Sequence, residues 1–170
     1  MDLRQWIRDV PDYPKPGILF RDLTPLLAHP PALRHATDAI ADALEQRGIQ
    51  AVCAIDARGF LFAAPVAVKL QLPLIPLRKA GKLPPQTVGA DYELEYGSAR
   101  LEARANALQA GQKVAIVDDL LATGGTAAAA AKVVEWFGAT VDTCAFVVEL
   151  TELGGRGRLN SVNTVALVSY

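Results

Sequence analysis

The chain predicts an α/β fold built on an open, mostly parallel twisted sheet flanked by helices. Three observations carry that expectation. Short apolar runs at residues 51–56, 73–78, 113–117 and 141–150 alternate with segments of helical periodicity. The helical stretch between the last two runs completes a βαβ unit, whose strands should be parallel with a right-handed crossover. The three candidate ligand-binding turns (residues 57–59, 78–82 and 118–126) fall at the carboxyl ends of strands, where open α/β sheets bind their ligands.

Size and composition narrow the field. With 170 residues the chain is the size of one domain, residues 1–170, able to bury roughly 70% of its unfolded surface. Hydrophobic content of 51% and a formal net charge of −1 describe an ordinary globule without the basic face that broad nucleic-acid binding needs. No apolar run approaches a membrane span, and the first ten residues, MDLRQWIRDV, lack the apolar core of a signal peptide. Cys53 and Cys144 each sit inside an apolar run and read as buried, reduced thiols, which fits a cytoplasmic compartment. His29 and His35 are too isolated for a metal site.

In chain order, residues 3–10 carry Leu3, Trp6, Ile7 and Val10 at the spacing of a short amphipathic helix, ended by Pro11. Pro14, Pro16 and Gly17 then force an irregular path before a short extended run at residues 18–20. On its own this segment is a loop covering a domain edge, with Arg21 a surface cation. Leu33, Ala36, Ile40 and Leu44 mark a helix over residues 31–46, stopped by Gly48. The run at 51–56 is a buried strand, and the turn Ala57-Arg58-Gly59 leads into an apolar helix at about residues 60–70. A strand, a short turn and a helix aim backbone N–H groups at an anion, and Arg58 adds a charge-assisted partner for phosphate oxygens. After the next strand come Arg78, Lys79 and Lys82, read as an anion clamp. Residues 84–99 form a hairpin bracketed by Gly89 and Gly97, which suit the hinges of a mobile lid.

The richest stretch is KVAIVDDLLATGGT, residues 113–126. A buried strand ends in Asp118 and Asp119, and a turn of Thr123, Gly124, Gly125 and Thr126 opens the helix of residues 126–137. The glycines allow positive φ and close approach to a ligand, and the helix start offers unpaired N–H groups to a phosphate. The carboxylates suit the hydroxyls of a ribose rather than a phosphate. No Lys follows the last glycine, so the GxxxxGK[ST] loop is absent, and GxGxxG is absent too. The segment at 154–157 carries three glycines and Arg156 without a strand–helix turn beside it, and reads as a surface loop.

VDDLLATGGT resembles the phosphoribosyl-pyrophosphate signature of the type I phosphoribosyltransferases, in the version carried by adenine phosphoribosyltransferases. The resemblance runs from Pro11 to about Leu159. PKPGILFRDLTP is similar to that family's N-terminal hood, which implies a base site made by Leu19 and Arg21 in a hood of about residues 1–30. DARGF resembles the pyrophosphate loop, which implies that Arg58 binds pyrophosphate and that the Asp56–Ala57 peptide is cis. LRKAGKLP resembles RKxGKLP, which implies anion contacts from Arg78, Lys79 and Lys82. YELEYG resembles the catalytic flexible loop, which implies a lid at about residues 83–99 with Glu95 transferring the proton at adenine and Tyr96 ordering the lid or the pyrophosphate. The chain departs from the family at Ala63-Ala64 and at Pro85, where glycine is usual.

The resemblance implies formation of AMP and pyrophosphate from adenine and phosphoribosyl pyrophosphate with Mg²⁺, in a homodimer that binds neither nucleic acid nor membrane. Asp118 and Asp119 would hold the ribose hydroxyls beside the Mg²⁺ shell, which reaches the site on the substrate. Backbone N–H groups of Ala122, Thr123, Gly124, Gly125 and Thr126 would hold the 5′-phosphate. Two alternatives stay open: a phosphoribosyltransferase for another base such as xanthine, and a regulator that binds the same donor.

Overall fold

The structure, a computed structural model, describes residues 1–93, 97–159 and 162–170. The N-terminal segment departs first from the periodicity reading. Only Leu3–Trp6 closes a 3-10 turn, with the Asp2 side chain accepting from the Arg4 N–H. The chain then extends as β1 (Arg8–Pro11), paired antiparallel with β2 (Leu19–Asp22). Pro11 explains the change: the residue before a proline is biased away from the α region, and β2 supplies ladder partners that a lone helical turn lacks. Leu3 and Ile7 are buried all the same, so the apolar spacing was packing information rather than a helix.

A further short helix, α1 (Thr24–Ala28), starts on Pro25 and precedes α2 (Pro30–Glu45). His29 caps α2 through Nδ1, which accepts from the Ala32 N–H at 3.2 Å, and its ring stacks on Trp6 at 3.5 Å between centroids. Ala32, Ala36, Ile40 and Leu44 form the buried stripe of α2.

The sheet uses β3 (Ala51–Ile55), β4 (Leu74–Lys79), β5 (Thr87–Glu93), β6 (Ser98–Arg104), β7 (Lys113–Leu121), β8 (Thr140–Glu149) and β9 (Asn163–Ser169). Among the described residues the strand order is β5-β6-β4-β3-β7-β8-β9, with α3 (Gly59–Leu70) and α4 (Gly125–Trp136) in the crossovers. The pairs from β4 through β9 are parallel, whereas the β5–β6 hairpin joins antiparallel at the β4 edge through Arg78 and Lys79. Strand β7 runs two residues past the acidic pair, because its ladder with β8 continues to Leu121 opposite Glu149. Asp118 and Asp119 therefore stand inside the rigid strand end.

Alternation along the strands divides the core. Val52, Ala54, Ala115 and Val117 face the helices α2 and α3, while Cys53, Ile55, Val114 and Ile116 face α4. Cys53 and Cys144 are free, and burial pushes both thiols up to about 12, so they are inert packing groups at neutral pH. The topology also creates a crevice. From β3 the chain crosses through α3 to β4 on one side, and from β7 it crosses through α4 to β8 on the other. The order reverses between β3 and β7, and the carboxyl ends of these two strands flank the switch point.

Candidate active site

A cleft of about 440 Å³ opens at that switch point, lined by Asp56, Ala57, Arg58, Lys79, Tyr92, Asp118, Asp119 and Thr126 among others. Residues from three separate turns thus meet in one space. Arg58 Nε lies 2.6 Å from Asp119 Oδ2 across the crevice. The guanidinium is about half exposed and Asp119 is 4% exposed, so the cation stands at the mouth and the carboxylate at the floor. Among the described residues, Asp119 Oδ2 nevertheless accepts no hydrogen bond. The contact with Arg58 is therefore one of charge proximity rather than of hydrogen-bond geometry.

Asp118 is turned toward the start of α3. Its Oδ1 accepts from the Asp119 N–H at 2.9 Å, and a Cβ added at Gly59 would lie 2.7 Å from the same oxygen. Only glycine lets α3 begin that close to the acidic strand. Burial, then the neighbouring Asp119 charge, pushes the Asp118 carboxyl well above the usual carboxylate range. Burial raises Asp119 as well, against the opposing pull of Arg58. Two carboxyls crowded in a dry strand end hold protons more tightly than free aspartates do.

The β7–α4 turn forms a smaller cavity of about 80 Å³, lined by Ala122, Thr123, Gly124, Gly125 and Thr126 with Asp118 beside them. Gly124 adopts φ 80°, the left-handed region, and α4 begins with no side-chain cap. The first-turn N–H groups of α4 are consequently free to meet an anion. No charged side chain belongs to the turn itself.

Other expected residues are arranged less directly. Asp56–Ala57 is a cis peptide, as the resemblance implies. Arg78 donates from Nε to Asp56 Oδ2 at 3.0 Å, and Lys79 lines the large cleft. Lys82 is exposed on the turn after β4 and lines neither cavity. In the hood, Leu19 is 44% exposed. The Arg21 guanidinium lies over the Tyr170 ring at 3.7 Å and pairs with Asp9, and its buried Nε has no hydrogen-bond partner among the described residues. Glu95 and Tyr96 lie outside the described residues.

The structure adds residues that motif reading passed over. Phe20 points to the opposite face of β2 from Leu19 and Arg21, and the Arg58 guanidinium stands 5.4 Å from its ring centre. The period-2 alternation of the hood strand was the available signal. Tyr92 lines the large cleft and also an adjoining one of about 480 Å³ against α4. The segment at 154–157 is not simply a surface loop: Gly155 is buried, and a Cβ added at Gly124 would strike its carbonyl oxygen. Only the folded chain brings these two turns together. Arg158, from the same segment, has Nη1 3.6 Å from where a Cβ of Gly125 would stand.

A sheet whose switch-point crevice holds an acidic strand end, an arginine corner and an uncapped glycine turn defines a phosphoribosyltransferase site. In agreement, the family described as "Phosphoribosyl transferase domain" matches residues 22–163. The adenine phosphoribosyltransferase of Thermosynechococcus vestitus is 51% identical over 170 residues, covering 100% of both chains. That of Thermobifida fusca is 50% identical over 165 residues, covering 97% of this chain and 94% of its own length. The crystal structure of adenine phosphoribosyltransferase from Thermoanaerobacter pseudethanolicus superposes with a TM-score of 0.96 at 46% identity, covering 99% of this chain and 98% of that one. The chain belongs to the adenine phosphoribosyltransferase family.

Proposed function

We propose that this enzyme converts adenine and phosphoribosyl pyrophosphate into AMP and pyrophosphate. The observation that carries the reading is the meeting of Arg58, Asp119 and Thr126 in one cleft at the switch point. A structure of the Saccharomyces cerevisiae relative, 40% identical, holds adenine and an imino-altritol bisphosphate. That supports the same pairing of a base with a phosphorylated sugar mimic here.

In the reaction, adenine N9 attacks the anomeric carbon, the bond to the pyrophosphate oxygen breaks, and the N9 proton is lost. Asp118 and Asp119 accept hydrogen bonds from the ribose 2′- and 3′-hydroxyls and favour the positive charge that develops on the sugar. The place of both carboxylates on the wall of the large cleft supports that task. The N–H groups of residues 122–126 seat the 5′-phosphate and hold the ring in line with both partners. Arg58, Lys79 and Lys82 bind the departing pyrophosphate, and Arg78 supports them from its anchor on Asp56. Leu19 and Arg21 bound the adenine. Glu95 would take the proton, and Tyr96 would order the lid, at about residues 83–99, or the pyrophosphate.

A Mg²⁺ ion arriving with the donor would supply charge neutralisation at the leaving group. A hard cation with a mostly aqueous shell fits an oxygen set of two carboxylates, and Asp118 and Asp119 are the groups that would meet that shell. One domain over residues 1–170, with a hood at about 1–30, completes the unit. A homodimer is supported by an apolar stripe on α3, where Leu61 is 48% and Val68 79% exposed one heptad apart. Two buried thiols favour a reducing, cytoplasmic setting.

The test is pyrophosphate release with the donor held constant and the base varied. Adenine should support turnover and guanine, hypoxanthine and xanthine should not; preference for another base would transfer the enzyme to that base.

A further inference from the structure

The chain after β8 folds back on the β7–α4 turn, and an ion pair between buried Glu149 and half-exposed Arg156 helps hold it there. Glu149 is the last residue of β8, in register with Leu121 at the end of β7, and is 4% exposed. A carboxylate buried at that depth requires a charged, hydrogen-bonded partner. Arg156 supplies it in bidentate form: Nε donates to Glu149 Oε1 and Nη2 to Oε2, each at 2.7 Å. Its remaining nitrogen, Nη1, donates to the Thr164 carbonyl on β9 at 2.7 Å. The guanidinium therefore ties its loop to two strands at once.

The consequence falls on its neighbour. Gly155 sits backbone to backbone with the turn, so a Cβ on Gly155 would strike the Ala122 carbonyl and come within 3.0 Å of the Leu121 side chain. Ala122 and Gly124 belong to the wall of the small cavity, whereas Glu149 and Arg156 line neither it nor the large cleft. Gly124 takes its left-handed φ without strain, and the turn has no side-chain cap, so its shape is set by what packs against it, and Gly155 is in direct backbone contact with it.

We propose that the Glu149–Arg156 pair is a clip that presses Gly155 against the β7–α4 turn and so sets the geometry of the 5′-phosphate seat. Both are positioning residues that never touch the substrate. The proposal rests on the phosphoribosyl reading of that turn and deepens it. It follows that loss of the clip weakens ligands bearing a 5′-phosphate and spares those without one.

Arg156→Ala, Arg156→Lys and Glu149→Gln, compared with wild type, test it by calorimetric binding of AMP, ribose 5-phosphate and adenosine. Arg156→Ala should weaken AMP and ribose 5-phosphate by about tenfold or more and adenosine by less than about twofold. Under turnover, the KM for the donor should rise while that for adenine holds. Arg156→Lys should recover only part of the affinity, since an ammonium cannot replace the bidentate fork. Should Arg156→Ala fail to fold, Glu149→Gln, which keeps the shape and an acceptor, carries the test with a smaller shift in the same direction. Equal weakening of AMP and adenosine, or unchanged AMP affinity with a lowered Tm, would overturn the clip. Ribose 5-phosphate binding needs no turnover, so failure of wild type to use adenine would sink the activity and leave this measurement readable.

Discussion

The two strand–helix corners at the rim of the sheet differ in what they offer an anion. At residues 56–59 the work falls to a side chain: Arg58 stands half exposed, facing Asp119 and the ring of Phe20. At residues 121–126 no charged group takes part beyond Asp118. A left-handed Gly124, uncapped N–H groups and the buried back wall of Gly155 make a cradle of main chain alone. The contrast matches the fates of the two phosphate groups. Pyrophosphate must leave at each turnover, and a long side chain can move with it. In the proposed reaction the 5′-phosphate stays on the sugar in substrate and product alike, and a rigid cradle would fix the ring throughout.

The largest break in this scheme lies between the corners. Asp119→Asn should lower kcat by about 10²–10³-fold, the usual cost of losing a preorganised electrostatic group. Its Tm should not fall, because a neutral amide suits a site where burial already disfavours charge. Near-normal kcat would remove the ribose role. Next, Arg58→Ala should cost about 10–100-fold in kcat/KM for the donor, the range of a charge-assisted hydrogen bond. Gly124→Ala places a side chain at φ 80° against the Gly155 carbonyl, and should raise the donor KM about tenfold with a Tm lower by several degrees. A donor KM left intact would mean that the turn does not seat the phosphate.

Asp118 sharpens the comparison through pH. A carboxyl whose folded-state pKa is raised adds stability below its ordinary value of 3.8 and loses it as pH climbs through the raised value. Asp118→Asn should therefore gain in Tm over wild type as pH goes from about 4 to about 8, while activity falls. A gain that shrinks toward alkaline pH would contradict the raised carboxyl. The smallest effect belongs to the hood: Arg21→Ala should raise the KM for adenine a few-fold, about what a partly exposed contact contributes, and that for the donor less.

Most of the sheet was legible because its strands are short, apolar and bounded by turn residues. β3, β7 and β8 fall within a few residues of their expected positions. The corners were legible for a related reason: Arg58 and the Thr123–Thr126 turn are local in sequence and sit where strands end. What periodicity misjudged was settled by tertiary partners. Residues 8–11 became a strand because β2 and Pro11 outweighed a weak helical spacing. The role of Gly155 could not be read from the chain, since it depends on a contact with Gly124, thirty-one positions away. Phe20 was overlooked for its neighbours Leu19 and Arg21, although alternation along an extended strand offered its face.

The division of labour between the corners is the central claim, and one paired titration tests it most directly. Arg58→Ala and Gly124→Ala are each titrated with pyrophosphate and with AMP. The account predicts a crossed pattern: Arg58→Ala loses pyrophosphate and retains AMP, while Gly124→Ala loses AMP and retains pyrophosphate. If both variants lose both ligands in equal measure, the corners do not act separately and the account fails.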